Sequence, residues 1–148
     1  MSSIRRFNAC LGFTAIALAS GPLIAQEHPY TEGPVVNVAR IRTENGKFDE
    51  YMKYVATTWK AEQEAAKKAG YIVDYQVISV EPRGPDDADL LLITTYKNWA
   101  ALDGGIAKND AIAKQIEGSV SASTQGAIDR NKIRRVLGSS TMQVLNLK

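Results

Sequence analysis

The first group in this sequence that could do chemistry is a carboxylate at an otherwise apolar position. Residues 47 to 70, KFDEYMKYVATTWKAEQEAAKKAG, repeat apolar side chains at the spacing of a helix. A projection at about 100° per residue puts one charged residue, Glu62, on the apolar arc, whose other members are Phe48, Tyr51, Met52, Val55, Trp59, Ala66 and Ala69. An isolated buried carboxylate is strongly unfavourable, so Glu62 must reach water at the helix edge, find a partner or hold a proton.

The surroundings of Glu62 decide what it can do. Beside a cavity with little water its pKa would rise, which suits a general acid or base. Paired with Arg40, which can share a strand face with Val36 and Val38, its pKa would fall and the pair would be structural. A position at the helix edge is also open. Glu62 is thus the candidate catalytic residue, and Arg40 joins the candidate ligand-binding residues.

Aromatic side chains supply the rest of a candidate site. They can line a pocket for a flat, partly apolar ligand and orient it with hydroxyl or indole donors. The alternative is that they are simply core residues. The candidates are Tyr51, Trp59, Tyr75, Tyr96 and Trp99.

Several kinds of chemistry are disfavoured by residue type. Cys10, the only cysteine, lies in the N-terminal segment that we expect to be removed, so no thiol or disulfide chemistry is expected in the mature chain. His28, the only histidine, lies in a predicted leader, which argues against a catalytic triad, histidine-ligated haem or a histidine-rich metal site. The run Asp86, Asp87 and Asp89 lacks the spacing of an EF-hand loop. We therefore predict no metal and no cofactor.

A mixed group of charges precedes the last predicted strand. Its members are Asp129, Arg130, Lys132, Arg134 and Arg135. Cations near a helix C-terminus favour the helix dipole, which accounts for most of the group as an exposed helix end. Arg134 and Arg135 could also bind an anionic ligand or bridge subunits.

The N-terminus predicts export. Arg5 and Arg6 precede an apolar stretch, and the layout of residues 1 to 25 is typical of a secretory signal peptide cut after Ala25. Its removal takes away both arginines, which account for the formal net charge of +2. A neutral mature chain lacks the basic surface of a nucleic-acid binder. We expect a periplasmic or secreted protein without a stable membrane anchor.

The remaining chain predicts one domain, residues 35 to 148, behind a flexible leader, residues 26 to 34. Strands are predicted at 35 to 42, 71 to 80, 89 to 96 and, near the C-terminus, 141 to 147. Helices are predicted at 47 to 70 and, cut by Gly104, Gly105 and Gly118, across 99 to 132. The order βαββαβ predicts an α+β, ferredoxin-like fold with helices on one face of a four-stranded antiparallel sheet. The other face would need a cover, for which a partner subunit is the simplest candidate.

This element order, the entry NGKFDEY into the first helix, the tyrosine and tryptophan on that helix and the final strand carry a resemblance. The chain resembles the dimeric α/β-barrel superfamily, and in particular its small secreted bacterial members of unassigned function. The resemblance covers roughly residues 35 to 147. It implies a homodimer whose sheets pack face to face as a barrel, with a ligand cavity between sheet and helices in each subunit. Members of the superfamily have many activities, so membership does not decide function.

Three functions remain open at this stage. The first is a periplasmic homodimer that binds a small apolar or aromatic molecule in its cavity. The second is a cofactor-independent oxygenase or isomerase acting on a phenolic or polyketide-like compound, with Glu62 or a tyrosine handling protons. The third is an accessory structural protein.

Overall fold

The computed structural model describes residues 27–148, so the predicted signal peptide, residues 1 to 25, lies outside the described residues. The elements follow the order β1 (Tyr30–Thr43), α1 (Phe48–Tyr54), a π-helical segment (Val55–Trp59), α2 (Lys60–Lys68), β2 (Asp74–Ser79), β3 (Leu90–Tyr96), a 3-10 turn (Trp99–Leu102), α3 (Gly105–Glu117), α4 (Val120–Arg130) and β4 (Arg134–Leu147). The predicted α+β class with a four-stranded antiparallel sheet is confirmed.

The sheet has the strand order β2-β3-β1-β4, and each neighbouring pair is antiparallel. The two central strands are β1 and β3. Val38 in the middle of β1 lies opposite Ile93 of β3 on one side and Ser140 of β4 on the other. This register fixes which side chains of the central strands share a face.

β1 starts earlier than the sequence pattern indicates. Residues 30 to 34, assigned above to a flexible leader, are part of this strand, and Tyr30 pairs with Leu147. Gly33 and Pro34 have the composition of a loop. They lie instead at a register shift between Glu32 and Val35, and a strand tolerates proline at such an irregularity. A Cβ at Gly33 would lie 2.9 Å from the backbone oxygen of Val144, so this close approach of strands requires glycine.

The first helical stretch covers the predicted range but is not uniform. α1 and α2 are joined without a break by the π-helical segment Val55–Trp59. The stretch ends as predicted at Gly70, whose φ of 74° is the left-handed conformation that glycine adopts easily. Among residues 27–148, no helix has the length and apolar character needed to cross a membrane.

The second helical stretch, residues 99 to 132, is divided at its glycines, as predicted. Asn98 caps the 3-10 turn, its Oδ1 accepting a hydrogen bond of 3.1 Å from the Ala101 backbone N–H. α3 begins after Gly104 and is followed by Gly118, and both glycines have left-handed φ values. Ser119 then caps α4. The glycines therefore allow α3 and α4 to pack against each other as a short hairpin.

The core lies between one face of the sheet and the first helical stretch. Ile41, Leu90 and Leu92 of the central strands are buried against side chains from α1 and the π-helical segment, which are Tyr51, Val55 and Trp59. Ala39 and Met52 pack at the margin of this cluster. Burial of this apolar surface is the main force that holds the helices on the sheet.

The opposite sheet face is also apolar, and the core cluster does not include it. Side chains alternate along a strand, so the neighbours of Ile41 and Leu92 point away from the helices. These residues include Val36, Val38, Leu91 and Ile93, and the flanking Ile78, Met142 and Val144 are exposed. We call these seven residues the open face.

Replacing Leu90 by alanine should reduce the free energy of unfolding by about 2–5 kcal/mol, because Leu90 is only 1% exposed at the centre of the core. Urea denaturation followed by circular dichroism measures this change. Leu147→Ala is the matched control, since Leu147 is 85% exposed and its loss leaves no cavity. Equal effects of the two substitutions would contradict this description of the core.

Candidate functional site

A cavity of about 320 Å³ lies beside the core, between α2, α3 and the end of β3. α2 contributes Glu62 and Ala66 to its wall, and β3 contributes Thr94 and Tyr96. The α3 side of the wall includes Lys108, Asn109 and Ile112. The volume suits a small organic molecule, and the wall combines apolar side chains with a few polar groups.

The π-helical segment helps to direct Glu62 towards this cavity. A π-helical turn contains more residues than an α-helical turn, so residues after Trp59 are rotated relative to a purely α-helical projection. Val55 and Trp59 therefore remain in the core, while Glu62, in the first turn of α2, lies in the cavity wall. Of the three environments considered for Glu62, namely a cavity, a pair with Arg40 and the helix edge, the structure has the one beside a cavity.

Glu62 lies next to a second carboxyl group, Glu117, at the C-terminal end of α3. The two side chains are close enough to share a hydrogen bond, which requires a proton on one of them. Burial raises the pKa of Glu62 to about 7, and the hydrogen bond and the negative charge of Glu117 add to this rise. Arg130 opposes the rise. We call Glu62 and Glu117 the carboxyl pair.

Arg130 of α4 supplies a positive charge near the carboxyl pair and lies over an aromatic ring. Its guanidinium carbon is 3.9 Å from the ring centroid of Tyr54, a cation–π arrangement. Burial raises the pKa of Tyr54, and the charge of Glu62 adds to this effect, so the Tyr54 hydroxyl stays neutral. The network thus joins groups from α1, α2, α3 and α4.

Gly126 of α4 has no side chain, and the Arg130 and Glu117 side chains occupy the space beside it. A Cβ at Gly126 would lie 3.0 Å from Arg130 Nη1, which is tighter than ordinary contact, and would touch Glu117 Oε2 at 3.4 Å. Within residues 27–148, no N–H or hydroxyl group donates to the buried Glu117 Oε1, so this atom can accept the proton that the carboxyl pair shares.

The predicted site residues fall into three locations. Glu62 and Tyr96 line the cavity, and burial raises the pKa of Tyr96. Tyr51 and Trp59 are buried in the core. Arg40 is exposed and alternates with Ala39 and Ile41, so it points to the open face and cannot pair with Glu62.

Two further aromatic candidates lie at the edges of the domain. Tyr75 meets Trp59 edge to face, with ring centroids 5.5 Å apart, and its hydroxyl hydrogen-bonds to Glu64. Trp99 is 48% exposed, and its Nε1 donates a 3.1 Å hydrogen bond to Gln143 Oε1. Neither residue is among those that line the cavity.

The sequence pattern missed Glu117 and assigned Arg130 to an exposed helix end. Arg130 is instead partly buried against Tyr54, and Arg134 interacts with the Tyr51 hydroxyl. The periodicity of α3 and α4 is weak, so it does not show which charged side chains turn inward. Gly126 was a usable signal, because glycine inside a helix often marks a close approach.

The part of the chain that the structure describes contains no cluster of side chains suited to bind a metal ion. No group of three or more histidine, cysteine, aspartate or glutamate side chains is placed to hold an ion there. Asp89, one of the acidic run, accepts hydrogen bonds of 3.0 and 3.1 Å from the Thr43 backbone N–H and also bonds to the Thr43 hydroxyl. Its carboxylate therefore has a structural role between β1 and β3.

Comparison with known proteins gives little further information. No protein-family model matches the chain, and no curated protein matches it in sequence. Among solved structures, it is similar to the crystal structure of HapK from Hahella chejuensis, with 13% sequence identity and a TM-score of 0.48. The match covers 73% of this chain and 90% of that chain.

The raised pKa of Glu62 makes stability depend on pH in a defined direction. Between its ordinary value of 4.5 and about 7, folded Glu62 keeps a proton that the unfolded chain releases. This contribution to stability is complete below the lower value and is lost as the pH rises through the higher one. Glu62→Gln has no such proton to lose, so its melting temperature relative to the wild type should increase between about pH 5 and pH 8.

The measurement is thermal unfolding of both proteins across this range. Glu64→Gln is the control, because Glu64 is an exposed glutamate on the same helix. Its difference from the wild type should not follow the Glu62→Gln pattern. A pH-independent difference for Glu62→Gln would show that Glu62 titrates normally.

Proposed function

We propose that this protein is a periplasmic homodimer that binds a small, partly apolar molecule in the cavity beside Glu62. The observation that carries the proposal is the cavity itself, which has a volume of about 320 Å³ and combines apolar walls with polar groups from α2, α3 and β3. Such a combination is typical of ligand sites, where apolar contact supplies affinity and a few polar groups set orientation.

The wall of the cavity indicates what the ligand should offer. Ile72 and Ile112 favour an apolar body, and Thr94 and Asn109 can exchange hydrogen bonds with it. Lys108 is held in place, since its Nζ donates a 2.7 Å hydrogen bond to the Ala101 backbone oxygen and lies 5.6 Å from the Tyr71 ring centroid. A small aromatic compound with at least one polar substituent meets these requirements.

Our proposal includes a ferredoxin-like subunit and a dimer formed through the open face. The element order and the strand order β2-β3-β1-β4 support the first part. The open face supports the second, because Val38, Leu91 and Ile93 form an apolar centre of the kind that soluble proteins usually cover. A second copy of this chain can meet the face with the same residues, as two-fold symmetry requires. The periplasmic location is supported by the signal-like residues 1 to 25.

Filling the cavity should abolish ligand binding. Ala113→Phe places a large ring in the cavity wall, whereas Ala111→Phe adds the same ring at an exposed position of α3. Native mass spectrometry of each protein isolated from its own periplasm would detect a bound small molecule as a mass adduct. We expect the adduct on the wild type and on Ala111→Phe but not on Ala113→Phe. An adduct that survives Ala113→Phe would place the ligand elsewhere.

A charge at the centre of the open face should dissociate the dimer. Ile93→Asp buries a carboxylate in the proposed interface, so sedimentation should show a monomer where the wild type is a dimer. Ala107→Asp introduces the same charge at an exposed helical position and should leave the dimer intact. A wild-type protein that is monomeric at micromolar concentration would exclude this assembly.

A further inference from the structure

We propose that the protein also catalyses proton transfer on an enolisable carbonyl compound, with Glu62 as the base that faces the substrate and Glu117 as its proton-sharing partner. This inference rests on the proposed function, because it requires that a ligand enters the cavity. It adds a reaction and a substrate class to what was otherwise only a binding site. Its support is the arrangement of groups on the cavity wall.

The first support is the position of Glu62. Among the described residues that line the cavity, Glu62 is the only acidic one. It comes from the first turn of α2, on a regular helix adjoining the core, so the carboxyl group has a defined position. A base on a rigid element beside a cavity of ligand size meets the geometric condition for general acid–base catalysis.

The second support is the group behind Glu62. Glu117 comes from α3 and is close enough to share a hydrogen bond with Glu62. Two carboxyl groups that share a hydrogen bond can exchange a proton between them, so the pair can accept a proton from one atom of a substrate and return it to another. No N–H or hydroxyl group among residues 27–148 donates to Glu117 Oε1, so this buried atom can accept the shared proton.

The charges around the carboxyl pair allow Glu62 to gain and lose its proton near neutral pH. Burial, and after it Glu117 on α3, favour the protonated form of Glu62, and Arg130 on α4 favours the ionised form. Tyr54 on α1 stays neutral, and Tyr96 on β3, whose pKa burial raises, does too. Lys108 on α3 is the cation that lines the cavity. The opposing effects leave Glu62 partly ionised near pH 7, where a base can both accept and return a proton.

The reaction needs no co-reactant. The Glu62 carboxylate takes a proton from the carbon next to the substrate carbonyl, and the C–H electron pair forms a C=C bond while the C=O electron pair moves to oxygen. Lys108 and the Tyr96 hydroxyl, both in the cavity wall, can donate hydrogen bonds to that oxygen. The proton on Glu62 then returns to the same carbon, or to the far end of a conjugated system, and the carbonyl re-forms. The overall change is hydrogen exchange or isomerisation.

The probe for this activity is 2-tetralone, a flat aryl ketone with acidic hydrogens next to its carbonyl. In D₂O, loss of its C1 proton signals by NMR measures proton abstraction directly. Wild-type protein should speed this exchange about 10²-fold over Glu62→Gln after subtraction of the buffer rate. The rate should rise with pH through a midpoint near 7, since only ionised Glu62 can act as the base.

Two further variants separate catalysis from a structural role. Glu117→Gln removes the like charge, so the midpoint of the pH profile should move to lower pH while the protein stays folded. Glu64→Gln on the same helix should match the wild type in rate and profile. A rate unchanged in Glu62→Gln, or a midpoint that Glu117→Gln does not move, would overturn the inference.

Binding of the probe is measured alongside by shifts in the amide signals of Thr94, Asn109 and Ile112. If 2-tetralone shifts these signals without faster exchange, the catalytic inference fails and the binding function stands. If no shift occurs at millimolar concentration, the cavity does not take such ketones and the catalytic inference fails, while the binding function is decided by the adduct on the wild type and its loss in Ala113→Phe. Faster exchange without shifts at these residues would place the activity outside the cavity and also overturn the inference.

Discussion

Burial of one sheet face against a single helical stretch is the constraint on which the site depends. Leu90 and Leu92 of β3 and Ile41 of β1 pack against Tyr51, Val55 and Trp59, and this contact fixes the direction of the helix across the sheet. α2 continues from that contact without a break, so the position of Glu62 follows from hydrophobic packing one to two turns earlier. The site itself adds little apolar burial of its own.

Unlike the core, which stabilises the fold, the carboxyl pair destabilises it. Two acidic groups brought together away from water are unfavourable unless one keeps its proton. Arg130, held over Tyr54, reduces this cost without removing it. Local conflict of this type is common where a protein keeps groups for function rather than for folding.

The sequence predicts the fold better than the site for a physical reason. Runs of apolar and β-branched residues identify the central strands, alternation identifies the edge strand β2, and Gly70, Asn98 and Gly118 mark helix ends by their backbone preferences. The start of β1 was missed because a bulge at Gly33 and Pro34 has the composition of a loop. Glu62 was found because it breaks an apolar pattern, but its partner Glu117 lies 55 residues away in a helix with no clear pattern to break.

The π-helical segment has a consequence for how such a protein can change over time. A single extra residue in a helix shifts the rotational phase of everything after it by about 100°, and Val55–Trp59 provides such a shift between α1 and α2. α1, before the π-helical segment, is constrained by packing in the core. α2, after it, contributes to the cavity wall. Substitutions in α2 can therefore change the shape and polarity of the cavity wall under selection while the core residues before it are inherited unchanged.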